Sequence, residues 1–130
     1  MKKTMIKTVK SLVFIALVFL SSSCTKLDPL KMEESPIVFT SEAQIKVTHI
    51  KNLMGISSND PNDENKSGNG WSTVKNGWIY CYFNRCKNVT QDLKIEVKEN
   101  TSIENRTLKL VIGSKIYGDT LIITQLGKTE

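Results

Sequence analysis

Histidine is almost missing from this chain, which has 130 residues and only His49. Hydrolytic systems of the Ser-His-Asp or Cys-His type need a histidine beside the nucleophile, and no nucleophile motif lies near His49. No glycine-rich phosphate-binding loop follows a predicted strand. Cys81 and Cys86 lack the second ligand pair that a zinc site needs. These absences predict a protein that is not an enzyme and that has neither a metal site nor a cofactor.

The chain also lacks a basic excess outside its N-terminus. Its 18 lysines and arginines exceed its 13 acidic residues, which gives a formal net charge of +5. Four of the lysines, and no acid, lie in the first 23 residues, so the rest of the chain has 14 basic and 13 acidic side chains. A nucleic-acid-binding domain needs a basic face of its own. We therefore expect no nucleic-acid partner.

No apolar run is long enough to cross a membrane as a helix. The longest, Leu12–Leu20, has nine residues, whereas a span needs about 20. A basic segment, residues 1–10, precedes it, and three serines, residues 21–23, follow directly before Cys24. This order of segments is typical of a secretory signal peptide.

The cysteine behind those serines resembles the lipidation site of bacterial lipoproteins. Ser21 occupies a position where leucine is usual, and relaxed forms of the signal are familiar in Bacteroidota. The resemblance implies removal of residues 1–23, lipid attachment at Cys24, and anchoring of the exported protein in the cell envelope, with the outer membrane as the expected site. The alternative is an ordinary cleaved signal that leaves Cys24 free. Residues 24–35 are polar and without a period, so they predict a flexible tether after the lipid.

From Pro36 onward, apolar and polar residues alternate with the period of two that is typical of strands. The stretches with this pattern are 44–48, 93–98, 108–112 and 121–123, and residues 37–40 form a short apolar, β-branched run. Each alternating stretch is expected to have one buried and one exposed face, with Ile45 and Val47 together on the apolar face of the first. No segment has the apolar stripe of a helix.

Turn-forming residues separate these stretches. Asn76-Gly77 predicts a type I′ hairpin, because both central residues of that turn need positive φ. Residues 54–70 are polar and rich in Asn, Asp, Ser and Gly, and they predict one long mobile or functional loop. About seven short strands with turns between them predict an all-β sandwich over residues 36–128.

The order of motifs in the C-terminal half resembles the BACON domain, a Bacteroidetes-associated module often found beside carbohydrate-active regions. The residues that carry this resemblance are Trp78-Ile79, the alternating stretch 93–97, Asn100, Arg106, the alternating stretch 108–112, and Thr124-Gln125. It covers residues 71–127, or 36–127 with the first strands. The resemblance implies an immunoglobulin-like β-sandwich and contact with glycans or mucins. The 54–70 insertion and the two cysteines depart from the family pattern.

Five aromatic residues are concentrated between residues 71 and 83. Tryptophan and tyrosine rings stack on the C–H faces of sugars, so the candidate ligand-binding residues are Trp71, Trp78, Tyr80 and Tyr82. In an extended strand the last three share one face, and Ile79, Cys81 and Phe83 share the other. If the second face is buried, the first is an exposed aromatic stripe. The competing interpretation is that Trp78 anchors the core, as a tryptophan does in many sandwiches.

Cys81 and Cys86 are separated by four residues. An exported protein meets an oxidising environment, and a tight turn would bring the two within bridging distance. We predict a disulfide that staples this turn. Two reduced cysteines, with Cys81 buried, are the alternative.

Two functions therefore compete. The first is a lipid-anchored envelope module that contacts glycans or glycoproteins through the aromatic residues near 71–83. The second is a non-catalytic structural spacer, or a protein-interaction subunit of an envelope complex, that binds no sugar. Exposed coplanar aromatics would favour the first function. Burial of both tryptophans would favour a spacer, and an apolar patch or an open edge strand would favour a protein partner.

Overall fold

Ten strands and no helix make up the part of the protein that the computed structural model describes, residues 29–129. They form a six-stranded and a four-stranded sheet, which confirms the predicted all-β sandwich. The predicted signal peptide, residues 1–23, and the predicted lipid site, Cys24, lie outside the described residues. Within the described range, no helix is long and apolar enough to cross a membrane.

The strands follow one another along the chain with short connections. In chain order they are β1 (Lys31–Met32), β2 (Ile37–Phe39), β3 (Gln44–Lys51), β4 (Gly55–Ser57), β5 (Glu64–Gly68), β6 (Trp71–Lys75), β7 (Ile79–Asn84), β8 (Thr90–Val97), β9 (Arg106–Gly113) and β10 (Gly118–Gln125). The larger sheet has the order β1-β3-β8-β7-β6-β5 and is antiparallel throughout. The smaller has the order β2-β10-β9-β4, in which β2 and β10 run parallel.

Alternation along these strands assembles the core between the sheets. The larger sheet contributes Ile50, Val74, Ile79, Cys81, Phe83, Leu93, Ile95 and Val97. The smaller contributes Ile37, Phe39, Ile56, Leu108, Leu110, Ile112, Leu121 and Ile123. Burial of apolar surface at about 25 cal/mol per Å² is the main source of stability for such a domain. The outward-facing side chains are consequently free for other roles.

Two buried polar side chains, Asn100 and Gln125, close one end of the sandwich. Asn100 Nδ2 donates hydrogen bonds to the carbonyl oxygens of Glu104 (2.8 Å) and Leu126 (3.1 Å). Gln125 Nε2 donates to the carbonyl oxygen of Lys98 at 2.8 Å. These side chains satisfy backbone carbonyls that burial would otherwise leave unpaired. Both belong to the motif that carries the sequence resemblance, and their role here is structural.

The prediction of one long loop over residues 54–70 is wrong. Both β4 and β5 lie in this stretch, and only residues 58–63 between them form a loop. β4 contributes one buried side chain, Ile56, and all five residues of β5 are exposed. Neither strand has a detectable alternation, because β4 is too short and β5 is an edge strand with no buried face.

The predicted hairpin at Asn76-Gly77 is present, but its predicted turn type is wrong. Neither residue is among those with positive φ in the described chain. Instead, Asn76 Oδ1 accepts hydrogen bonds from the backbone N–H groups of Trp78 (2.9 Å) and Ile79 (3.1 Å). The asparagine side chain therefore organises this turn without a left-handed backbone.

Strand pairing reaches into the segment predicted as a tether, residues 24–35. Both residues of β1 pair with the end of β3. Glu34, which follows β1, contacts Lys46 of β3 with a nitrogen–oxygen distance of 2.8 Å. The described end of this segment is therefore attached to the edge of the six-stranded sheet.

Candidate functional site

Tyr80 and Tyr82 lie on the outer face, which is the side of the six-stranded sheet turned away from the core. The neighbours that alternate with them in β7 are Ile79, Cys81 and Phe83, each at most 2% exposed. The alternation predicted for this strand is therefore confirmed. The centres of the two tyrosine rings are 6.4 Å apart, and the ring planes differ by 27°. The outer face thus carries two nearly parallel aromatic rings.

Trp78, directly before β7, combines the two interpretations of the sequence. It is half-buried and packs against the core, and it also lines a depression on the outer face. The guanidinium carbon of Arg106 lies 4.9 Å from the centre of its ring. In the aromatic stripe, defined as Trp78, Tyr80 and Tyr82, the exposed ring is that of Tyr80, whereas Trp78 and Tyr82 are half-buried.

Three hydrogen bonds fix Arg106 in this position. Its Nε donates to Gln125 Oε1 at 2.9 Å, and its Nη2 donates to the carbonyl oxygens of Lys98 (3.0 Å) and Glu99 (3.1 Å). Desolvation in this environment lowers the pKa of Arg106 from its ordinary value. Held by these partners, Arg106 packs against Trp78 and fixes the position of that ring.

Trp71 stands apart from the stripe. It is 38% exposed and pairs with Gly68 across the β5–β6 hairpin. A methyl group at Gly68 would lie 2.6 Å from Cε2 and 2.8 Å from Cζ2 of the indole. The indole therefore packs directly over Gly68, and this space is available because glycine has no side chain. Trp71 borders a separate hollow beside β4 and does not line the depression that Trp78 and Tyr80 share.

The depression beside Tyr80 has a volume of about 370 Å³. That is near the lower end of ligand pockets, which run from about 300 to 1,000 Å³. Its aromatic wall is formed by Trp78 and Tyr80, and its charged lining residues are Glu64, Lys66, Lys75, Glu96 and Lys98. Aromatic and charged groups therefore converge at one place on the outer face.

The first half of β3 presents the opposite face from the one predicted. Ile45 and Val47 are 59% and 46% exposed, whereas Thr48 is buried. Through β8, the strand register places Ile45 in line with Tyr80 and Val47 in line with Tyr82. Two aliphatic side chains expected in the core instead extend the apolar part of the outer face. The sequence does contain a signal of this reversal. Apolar residues occupy the odd positions 45 and 47, but the next apolar residue of the strand is at the even position 50, so the two groups cannot share one face.

The predicted disulfide between Cys81 and Cys86 is wrong, because both thiols are free. Cys81 points into the core, and Cys86 is exposed beyond the end of β7. A turn was expected between the two cysteines, but β7 stays extended as far as Asn84. Because an extended strand rises by about 3.3 Å per residue, it carries Cys86 away from Cys81. Burial, with a smaller contribution from Asp63, raises the pKa of the Cys81 thiol to about 12. The structure therefore agrees with the alternative prediction, two reduced cysteines of which Cys81 is buried.

Metal-ligating side chains do not gather within residues 29–129, where no group of three or more His, Cys, Asp or Glu could hold an ion. His49 instead contacts Asp92 with a distance of 2.8 Å between Nδ1 and Oδ1. The two residues are register partners on β3 and β8, so this exposed pair supports the strand pairing.

No protein-family model and no curated protein matches the chain. Two solved structures are similar to it. One is a Bacteroides ovatus GH5 xyloglucanase in complex with a XXXG heptasaccharide, with a TM-score of 0.50 and 13% identity over 77% of this chain and 19% of that one. The other is the NMR structure of a protein from Bacteroides thetaiotaomicron, with a TM-score of 0.53 and 16% identity over 79% of this chain and 91% of that one. The chain thus spans about a fifth of the xyloglucanase, and at these identities the likeness concerns the fold.

Proposed function

We propose that this protein is a lipid-anchored component of a bacterial cell envelope, in which a BACON-like β-sandwich contacts glycans through the aromatic stripe without catalysis. The observation that carries the proposal is the pair of Tyr80 and Tyr82, two nearly parallel rings 6.4 Å apart on the outer face. The depression beside Tyr80 gives a bound sugar room to settle against that ring.

Aromatic stacking is the interaction that such a face offers. The C–H groups of a sugar ring contact the negatively polarised faces of tyrosine and tryptophan. The Tyr80 side chain is already 37% exposed, so no rearrangement is needed before it meets a ligand. Side chains on a sheet are also better preorganised than side chains on a loop, which reduces the entropy lost on binding.

Two further observations support the location and the ligand class. The basic segment, apolar run, serines and Cys24 at the N-terminus are the features of a lipoprotein signal. The fold is also similar to part of a xyloglucanase whose structure was solved with a heptasaccharide. Stable membrane anchoring through acyl chains at Cys24 would hold the sandwich near the glycans of the cell surface.

Isothermal titration with a glycan panel tests the proposal. The protein is the chain from residue 24 with Cys24→Ser, and the panel contains xyloglucan, other plant polysaccharides and mucin O-glycans. We expect at least one saturable binding curve, weakened about tenfold or more by the double variant Tyr80→Ala/Tyr82→Ala. The matched control is Tyr117→Ala, which removes a tyrosine that is 41% exposed near the β9–β10 turn. It should leave the affinity unchanged.

The fold of each variant is checked by circular dichroism. No binding across the panel, or equal binding by the tyrosine double variant and the wild type, would refute the proposed glycan contact.

One observation favours the alternative function, a protein-interaction subunit of an envelope complex. Ile45 and Val47 are exposed in line with the tyrosines, and apolar patches on a sheet face are typical of protein interfaces. Crosslinking in the native envelope from a photoreactive residue at position 45 separates the two functions. A discrete protein adduct, lost with Tyr80→Ala/Tyr82→Ala, would support the alternative.

A further inference from the structure

Each member of the aromatic stripe has a lysine as its cross-strand neighbour. Tyr80 is the register partner of Lys75 in β6, and Tyr82 is the register partner of Lys94 in β8. One residue beyond the last pair of β7 and β8, the backbone N–H of Lys98 donates a hydrogen bond to the carbonyl oxygen of Trp78 at 2.9 Å. At each of three successive levels of the outer face, one lysine therefore lies beside one aromatic residue.

These lysines are not neutralised by ion pairs. Among residues 29–129, Lys75, Lys94 and Lys98 have no carboxylate oxygen within 4.0 Å of the ammonium group. All three residues are exposed. Their ammonium groups are thus free to bind an anion beside the aromatic rings.

The remaining charges on this part of the face leave a positive balance. Lys66 contacts Glu64 at 3.8 Å, so these two offset each other. Glu96 is the register partner of both Tyr80 and Ile45, and it is the other acidic group that lines the depression. In the described part of this face, the three ammonium groups of Lys75, Lys94 and Lys98 therefore outnumber the carboxylates of Glu96 and of Asp92, which contacts His49.

We propose that the aromatic stripe selects glycans that carry anionic substituents, sulfate or carboxylate, and that Lys75, Lys94 and Lys98 bind these groups while the tyrosines stack on the sugar rings. The proposal rests on the glycan contact proposed above and names the class of glycan. A lysine is suited to this role because its flexible stem lets a compact charge follow a substituent on any face of the sugar.

The test uses one polymer in three charge states. Chondroitin sulfate carries sulfate and carboxylate, chemically desulfated chondroitin carries carboxylate alone, and carboxyl-reduced desulfated chondroitin is neutral. Mucin O-glycans, before and after removal of sialic acid and sulfate, provide a second backbone. With the chain from residue 24 carrying Cys24→Ser, we expect tighter binding of the charged forms and an affinity that falls as salt rises.

The double variant Lys75→Gln/Lys94→Gln should reduce affinity for the charged forms about fivefold and leave the neutral form unaffected. The matched control, Lys109→Gln/Lys115→Gln, changes two exposed lysines in β9 and in the β9–β10 turn and should have no effect. Comparison of the sulfated with the desulfated polymer tells which anionic group the lysines prefer.

Several outcomes would overturn the proposal. Equal affinity for charged and neutral polymers would refute the anionic preference and leave the glycan contact standing. A charge preference that persists in Lys75→Gln/Lys94→Gln would refute the location. Binding to phosphatidylglycerol vesicles with no binding to any polymer would show that the lysines serve a membrane surface, and the glycan contact would fall with it.

Discussion

The guanidinium carbon of Arg106 lies 4.9 Å from the centre of the Trp78 ring. This contact joins the first residue of β9 to the turn before β7, and so connects the smaller sheet to the larger one at the end that Gln125 closes. A cation against an aromatic face contributes about 0.5–2 kcal/mol, depending on how far it is desolvated. The position of the Trp78 ring therefore depends on Arg106, a residue that does not itself line the depression.

Replacement of this arginine should destabilise the fold. Arg106→Ala removes the contact with Trp78 and three hydrogen bonds, and we expect the free energy of unfolding to fall by about 2 kcal/mol. Urea denaturation followed by circular dichroism measures the change. The control is Arg85→Ala at an exposed position, with an expected effect within about 0.5 kcal/mol. Equal stability of the two variants would contradict the structural role of Arg106.

Gly68→Ala should displace Trp71. The added methyl group would overlap the indole, so the ring must leave the edge strand and enter solvent. In a Trp78→Phe background, which leaves Trp71 as the remaining tryptophan, fluorescence emission should shift to the red. Gly77→Ala is the matched control, because a methyl group there meets no atom within 4 Å. An unchanged emission maximum in Gly68→Ala would show that the indole does not lie over the glycine.

The two thiols of the sandwich should differ sharply in reactivity. In the folded chain with Cys24→Ser, one equivalent of Ellman's reagent should react rapidly at Cys86, and the second only on unfolding, because Cys81 is fully buried. Cys86→Ser should abolish the rapid phase. Absence of any free thiol in the unfolded protein without reductant would restore the disulfide prediction.

Burial of Cys81 makes stability depend on pH in the alkaline range. Its pKa is raised from an ordinary value of 9.0 to about 12 in the folded state, chiefly by desolvation. The unfolded thiol loses its proton first as the pH rises, so this contribution to stability is complete below about pH 9 and is lost towards pH 12. The slope is at most about 1.4 kcal/mol per pH unit.

Comparison with Cys81→Ala isolates this titration from those of lysine and tyrosine. The wild type should lose stability relative to the variant between pH 8 and pH 10, as measured by urea denaturation. A constant difference over that range would mean that the thiol ionises equally in the folded and unfolded chains.

The sequence was most informative where strands bury one face. The alternating stretches near residues 93–98 and 108–112 correspond to β8 and β9. Because every second side chain of these strands is buried, apolar and polar residues alternate in their sequence. β5 could not be found in this way. Its five exposed residues are held by backbone pairing with β6 and by the indole of Trp71 over Gly68, and neither contact leaves a hydrophobic pattern.

The candidate site was predicted in part for the same reason. The placement of Tyr80 and Tyr82 followed from period two, but their lysine neighbours did not, because Lys75 and Lys94 come from two other strands and meet the tyrosines only through register. The wrong prediction of the buried face of β3 has a related cause. Apolar residues at positions 45 and 47 indicate a core position when the strand is considered alone, and only its pairing with β8 places them on the outer face.

The parallel pairing of β2 with β10 gives the sandwich a mechanical property. Ile37, Val38 and Phe39 lie beside Ile123, Thr124 and Gln125, with both strands running in the same direction. A pull on the chain before β2, opposed by a pull after β10, would slide these strands along each other. Their hydrogen bonds would then carry the load together and would not open one at a time. A domain held by its N-terminal end while its surroundings drag on it would resist extension along this axis better than along one that peels a hairpin apart.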